Sequence, residues 1–303
     1  MDIAVIAALL VALLYGIQIV GEKIYIKDAP DINNQSLVFT TVAFLAIIGF
    51  ILIPLTPIKL KLSTEHYAIF AITGIIYTIT MILWFYAMER ENASKVGQLA
   101  SLEAITTTTA GLLLFNETLT TTSSIAIALI ILSIFILVFD RGVARAIQTT
   151  KIAVIPILIC VILWATIDST INYISTQLNF WTIYFWIRIA ALSCFTPLLL
   201  KQNIRTNIKQ IFTNNSSHTT TYFTAKLASA IAIILSIYAI SNAPLSVVAP
   251  ILASYPIFAL IFGLIATKTT NHTIETATQK HILKRTTSIT LFIIGITTLL
   301  QTT

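Results

Sequence analysis

The sequence predicts an all-α integral membrane fold, with ten transmembrane helices arranged as two inverted five-helix repeats. Three observations predict it. Only 10% of the residues are charged and the mean hydropathy is +0.91, whereas a soluble domain carries about 25% charged residues. Apolar residues fall into long runs, and a helix needs roughly 20 of them to cross the bilayer core. Last, the stretch Trp84 to Thr120 is echoed by the stretch Ile237 to Thr273. At one constant offset Tyr86 meets Tyr238, Ala87 meets Ala239, Ser94 meets Ser246, Val96 meets Val248 and Gly111 meets Gly263.

Taken in order, the first expected helix spans about Ile3 to Tyr25, with no basic segment before it, so it reads as a retained membrane helix and not as a signal peptide. The second runs from about Leu37 to Leu55 and is closed by Pro54 and Pro57. The third covers about Tyr67 to Met88 and the fourth about Ser94 to Phe115. After a polar break the fifth follows, about Ile125 to Phe139. Arg141, Arg145 and Lys151 mark a linker. The sixth and seventh are expected at about Ile152 to Thr176 and Trp181 to Leu200. The polar run Lys201 to Thr221 reads as a loop before the eighth, about Tyr222 to Ser241. The ninth spans about Leu245 to Thr267, a second loop holds Lys268 to Arg285, and the tenth ends the chain at about Thr287 to Leu300. Threonines inside these helices are tolerated because each hydroxyl can bond a carbonyl one turn back.

Five helices per unit is an odd number, so the second unit enters the membrane the opposite way up. The expected units are residues 1–145 and 151–303, with a substrate site near the midplane between them. Internal repeats in an apolar chain point to a transport protein. Nearly all Lys and Arg fall on the side where the first helix ends, and only Lys59 and Lys61 fall on the other. The positive-inside rule then places both termini outside the cytoplasm.

Several function classes are excluded as expectations. The net charge of +6 is loop charge of a membrane protein and not a nucleic-acid footprint. Cys160 and Cys194 lie in apolar runs, outside any metal or redox motif, and read as small buried hydrophobes. There is no phosphate-cradling GxxxxGK[ST] loop, no HExxH and no GxSxG, and His66, His218, His272 and His281 lie in or beside loops. Neither enzymatic activity nor a metal or cofactor is expected.

The repeated stretch resembles the EamA-type family of the drug/metabolite transporter superfamily. There a helix ends in a pattern like YALKxxPAS, a small-residue and proline-bearing helix follows, and the segment closes on LGERLT. The first copy has Tyr86-Ala87-Met88, Ala93-Ser94 and the closing Leu114-Phe115-Asn116-Glu117-Thr118-Leu119-Thr120. The second has Tyr238-Ala239-Ile240, Asn242-Ala243-Pro244, Ala249-Pro250 and Tyr255-Pro256, but Lys268-Thr269-Thr270 replaces the family's glycine-glutamate pair. Leu163-Trp164-Ala165 is similar to the tryptophan-bearing first helix of each half, a place that Leu14-Tyr15-Gly16 occupies in the first helix. Gln98 stands where the second copy has Pro250, and Glu103 stands opposite Tyr255. The resemblance implies cytoplasmic termini, opposite to the charge tally.

Ionisable groups in a membrane helix cost about 2.5–3.5 kcal/mol each on insertion scales and mark function by default. Glu103, Asp168 and Arg188 lie well inside expected spans. Arg188 can hold a carboxylate or phosphate by its forked donors. Asp168 or Glu103 can bind an ammonium group or carry a coupling proton. The bland alternative is an Asp168–Arg188 ion pair that only joins two helices. Tyr15, Gln18, Trp164, Asn172, Tyr86 and Gln98 are further candidates for lining a substrate cavity. Gly97, Pro250 and Pro256 weaken their helices and are candidate hinges. Trp181 and Trp186 read as interfacial belt residues, Glu22 and Lys23 as reaching the interface, and Glu117 as bracing the turn between the fourth and fifth helices. The expected function is secondary transport of a small organic metabolite, an amino acid or related solute, across a cytoplasmic (inner) membrane by alternating access, with proton coupling or exchange. The alternatives are uptake of a nucleotide-like or sulfonium metabolite, and a non-transporting lipid-binding or accessory membrane subunit. The expected partners are that solute and the bilayer, with the protein a monomer or else a homodimer.

Overall fold

A computed structural model describes residues 2–28, 32–90, 93–138, 151–213, 217–269 and 279–302. The expected linker residues Arg141 and Arg145 lie outside them, as does His272. Among the described residues the chain is all-helical. The helices are α1 (Asp2–Asp28), α2 (Asn34–Leu52), α3 (Thr64–Arg90), α4 (Ala93–Ala100), α5 (Glu103–Leu114), α6 (Thr121–Val138) and α7 (Lys151–Ser175). They continue as α8 (Phe180–Phe195), α9 (Gln202–Thr213), α10 (Ser217–Asn242), α11 (Leu245–Leu252), α12 (Tyr255–Thr269) and α13 (Gln279–Thr302). Seven segments among them are long and apolar enough to cross a membrane: α1, α2, α3, α7, α8, α10 and the α11–α12 segment. The apolar parts of α6 and α13, Thr121–Ile136 and Thr286–Gln301, are shorter.

Local chemistry sets most boundaries. Asn33 caps α2, its side chain accepting from the Gln35 N–H, and Asn179 caps α8 by accepting from the Thr182 N–H. Pro54 and Pro197 each sit in a 3-10 turn, Ile53–Leu55 and Thr196–Leu200, where the chain leaves α2 and α8. Two expectations need correction. The run Lys201–Thr221 contains a helix, α9, whose Ile204 and Ile211 are buried while Arg205 and Lys209 are exposed. And the fourth and ninth expected helices are each broken in two.

The two breaks have the same form and lie within one residue of the offset of the sequence echo. In the first, the Ser101 hydroxyl donates to the Gln98 carbonyl (2.6 Å) and the Ala104 N–H to the Ser101 carbonyl (3.0 Å). In the second, the Ser254 hydroxyl donates to the Ile251 carbonyl (2.6 Å) and the Ile257 N–H to the Ser254 carbonyl (3.0 Å). In the first break the serine hydroxyl serves a carbonyl that the interrupted helix leaves open, while in the second the Ile251 carbonyl also accepts from the Ser254 N–H at 3.1 Å. Pro256 adds to the second break because it has no N–H to give.

Small residues let the helices approach. A Cβ on Gly74 of α3 would lie 2.5 Å from the Ala190 Cβ of α8, and one on Gly16 of α1 would lie 2.6 Å from the Phe258 Cβ of α12. Close packing of this kind holds helices together where lipid removes the hydrophobic drive. The most extensive pairings are α1 with α10, α6 with α13, α1 with α12 and α3 with α7. Around the middle of the bundle α1, α3, α5, α7, α8 and α10 surround the break between α11 and α12.

Candidate functional site

These elements enclose a cavity of about 110 Å³. Its walls are mostly aromatic and aliphatic. Tyr15 meets Tyr255 edge to face at 6.1 Å, and Trp84 meets Trp164 likewise at 5.2 Å. Both are arrangements that aromatic pairs favour. Three ionisable side chains enter this lining: Glu103 from the first residue of α5, Asp168 from α7 and Arg188 from α8.

Arg188 does not pair with Asp168. The two carboxyls, Glu103 and Asp168, face the same cavity as near electrostatic neighbours. Arg188 is 3% exposed, and its guanidinium lies 4.0 Å over the Tyr77 ring and 5.8 Å from the Tyr184 ring centre. Those ring faces attract a cation, but they take no hydrogen bond in the guanidinium plane. Its Nε and Nη1 are buried with no hydrogen-bond partner among the described residues. A buried donor left open costs about 1–3 kcal/mol, and an anion in the cavity would remove that penalty.

A second polar cluster adjoins the cavity. Gln18 lines it, and the Gln18 Nε2 donates to the Glu22 Oε1 at 2.9 Å. Glu22 Oε1 also accepts from the Lys226 Nζ at 2.5 Å, and its Oε2 accepts from the Trp84 Nε1 at 3.4 Å. Because Glu22 pairs with a cation, the Gln18 amide must turn its NH2 toward it, which leaves the Gln18 Oε1 as a buried acceptor with no partner. Glu22 and Lys226 are 1% and 0% exposed, so this ion pair joins α1 to α10 inside the bundle. The Lys226 ammonium also faces the rings of Phe85 and Tyr222, at 5.0 and 4.8 Å. The expectation that Glu22 and Lys23 reach the interface is therefore wrong. Lys23 is buried as well, and its Nζ donates to the Met88 carbonyl at 2.5 Å. Reading the end of α1 as a membrane boundary missed its partner in α10. Lys226 itself was a legible signal, a lysine five residues into an apolar run.

Of the nine expected lining residues, six are brought together at the cavity: Glu103, Asp168, Arg188, Tyr15, Gln18 and Trp164. Three are not. Tyr86 lies at the end of α3 under the Arg90 guanidinium, 3.6 Å from its ring centre. Gln98 is buried in α4, where its carbonyl serves the first break. Asn172 is half-buried on α7 outside the lining. Thr41, Ser229 and Ser236 supply hydroxyls to the walls that the sequence did not single out. Among the expected hinge residues, Pro250 and Pro256 flank the second break, and Gly97 packs beside it, its Cβ position 3.4 Å from Tyr255 and 4.0 Å from Pro256. Trp186 donates to the Lys59 carbonyl at 3.0 Å and packs on Tyr67. Glu117 does brace a helix, but not at its own turn. Its two oxygens accept from the Leu245 and Ser246 N–H groups (2.7 and 2.8 Å), capping the start of α11. Gly111 makes room for it, since a Cβ there would fall 2.7 Å from the Glu117 Oε2.

Comparison with known proteins agrees with the sequence resemblance. Residues 2–139 match the model of the EamA-like transporter family. An uncharacterized protein of Methanocaldococcus jannaschii is 33% identical over 143 residues, which is 97% of that protein but 45% of this chain. A solved crystal structure superposes on 96% of this chain and 95% of its own with a TM-score of 0.67, at 11% identity, and so shares the fold.

Proposed function

The chain belongs to the EamA-like transporter family, and from that premise we propose that it is a secondary transporter of a small zwitterionic metabolite, an amino acid or a related solute. The observation that carries this reading is the pair of open Arg188 donors in a cavity that also holds the Glu103–Asp168 carboxyls. Arg188 takes the substrate carboxylate by its fork. The carboxyl pair takes the ammonium group or, between substrates, keeps a proton. Gln18 offers its oxygen to a further N–H or O–H. Exchange of ammonium against proton at one carboxyl pair couples the two fluxes.

The proposed architecture is two inverted five-helix units, residues 1–145 and 151–303, in a cytoplasmic membrane. Its support is threefold. The two breaks share one form and lie within one residue of the echo's offset. The pairing of α1 with α10 has its counterpart in that of α7 with α3, each joining the first helix of one unit to the third of the other. And a relative exists whose whole length corresponds to less than half of this chain. Rocking of the units about the breaks at Ser101 and Ser254 would open the cavity to either side in turn.

The experiment is solute flux into vesicles reconstituted with the purified protein, screened over an amino-acid panel. Glu103→Gln and Asp168→Asn are expected to abolish flux while leaving membrane insertion intact. Full activity in both variants sinks the site. The Trp84–Trp164 wall also suits a nucleobase or sulfonium group, and a panel in which only such solutes move would select that substrate class. Vesicles that move no solute would favour the accessory-subunit reading.

A further inference from the structure

The helix α9 lies between two segments that are long and apolar enough to cross a membrane, Phe180–Leu200 and Thr219–Asn242. One side of it is spent on the bundle. Ile204 and Ile211 are fully buried, and α9 packs on α2. The other side carries Lys201, Arg205 and Lys209, all exposed. Their spacing of four residues aligns them as one basic stripe, with Lys201 in register because its carbonyl accepts from the Arg205 N–H. The segment Gln202–Thr213 contains no acidic residue, and none of the three cations makes an ion pair among the described residues. Two large apolar side chains flank the stripe, Leu200 at 85% and Phe212 at 62% exposure. The Phe212 ring is anchored on Phe223 of α10, 5.5 Å away, so its position is tied to the bundle.

A free anion would need none of the flanking apolar surface. A lipid would use both parts, its headgroup on the cations and its first methylenes on Leu200 and Phe212. We propose that the outer face of α9 binds the anionic headgroups of the surrounding bilayer. The occupant is an acidic phospholipid such as phosphatidylglycerol, held by charge complementarity and by the apolar flanks. This site is separate from the transport cavity and independent of what the cavity carries.

The test measures thermal unfolding of the full-length protein in neutral detergent, titrated with phosphatidylglycerol or phosphatidylcholine. Only the acidic lipid is expected to raise the melting temperature, and 0.5 M salt should weaken the effect. In Lys201→Gln/Arg205→Gln/Lys209→Gln the apparent lipid affinity should fall by about fivefold for each charge removed. Lys59→Gln/Lys61→Gln, equally exposed elsewhere, should respond like the wild type. Three results overturn the proposal. These are no acidic-lipid shift in the wild type, an undiminished shift in the triple variant, or an equal loss in the Lys59/Lys61 variant. An equal shift from inorganic phosphate overturns the lipid assignment in favour of a free-anion site.

Discussion

Removing one partner of the Glu22–Lys226 pair should destabilise the bundle far more than removing both. The two groups are 1% and 0% exposed and 2.5 Å apart, so neither can recover water when the other is lost. Breaking such a pair costs about 3–5 kcal/mol, whereas replacing both members by apolar residues of similar volume is often neutral or stabilising. Lys226→Met leaves a carboxylate with only two neutral donors, Gln18 and Trp84, and should fall in that 3–5 kcal/mol range. Glu22→Gln should cost less, because the amide oxygen can still accept from Lys226. Glu22→Leu/Lys226→Met should recover most of the loss, although it also frees the Gln18 amide to turn. Reversible unfolding in mixed detergent micelles gives the three differences, and a double-mutant cycle isolates the coupling. If Lys226→Met unfolds like the wild type, or if the double variant loses the sum of the singles, the pair is not the desolvated contact described here.

Other expectations follow from single contacts. Arg188→Lys keeps the charge but loses the fork, and should raise KM in vesicle flux by about tenfold, the equivalent of one charge-assisted hydrogen bond; an unchanged KM would remove Arg188 from the substrate site. Glu117→Ala removes the cap on α11 and should cost about 1–2 kcal/mol in the same unfolding assay, while Glu117→Gln, which keeps one oxygen, should cost less. Gly74→Ala places a methyl group 2.5 Å from the Ala190 Cβ and 2.8 Å from its carbonyl carbon, an overpacking worth about 1–3 kcal/mol; a variant as stable as the wild type would mean that α3 and α8 can separate without loss.

Helix existence and class were legible because lipid imposes a crude rule, a long apolar run with few charges, and α1, α3, α7, α8 and α10 obey it. The echo between Tyr86–Gly111 and Tyr238–Gly263 also located the two segments that share a break. The breaks themselves were hidden. Averaged over a membrane span, hydropathy does not mark Ala100–Glu103 or Leu252–Tyr255, and a serine bonding back to a carbonyl is no signature either, since Ser133 and Ser236 do the same within the unbroken α6 and α10. The helix α9 was hidden for the opposite reason, since its two buried isoleucines are too few to register in a polar run.

By itself the sequence determined that this chain belongs in a bilayer, that it contains a repeated element, and which rare ionisable groups, Glu103, Asp168 and Arg188, carry a cost that calls for a function. Those follow from transfer energies, which depend on residue type and little else. Only the tertiary structure decided the pairings. It set Glu103 against Asp168, left Arg188 open over Tyr77, and buried Glu22 against Lys226, two residues 204 positions apart. Glu117, which reads as part of its own turn, was carried to the start of α11 by the same packing. A charge in an apolar run announces its cost wherever it stands. Its partner depends on which helices meet, and that is settled by close approach at residues such as Gly16, Gly74 and Gly111.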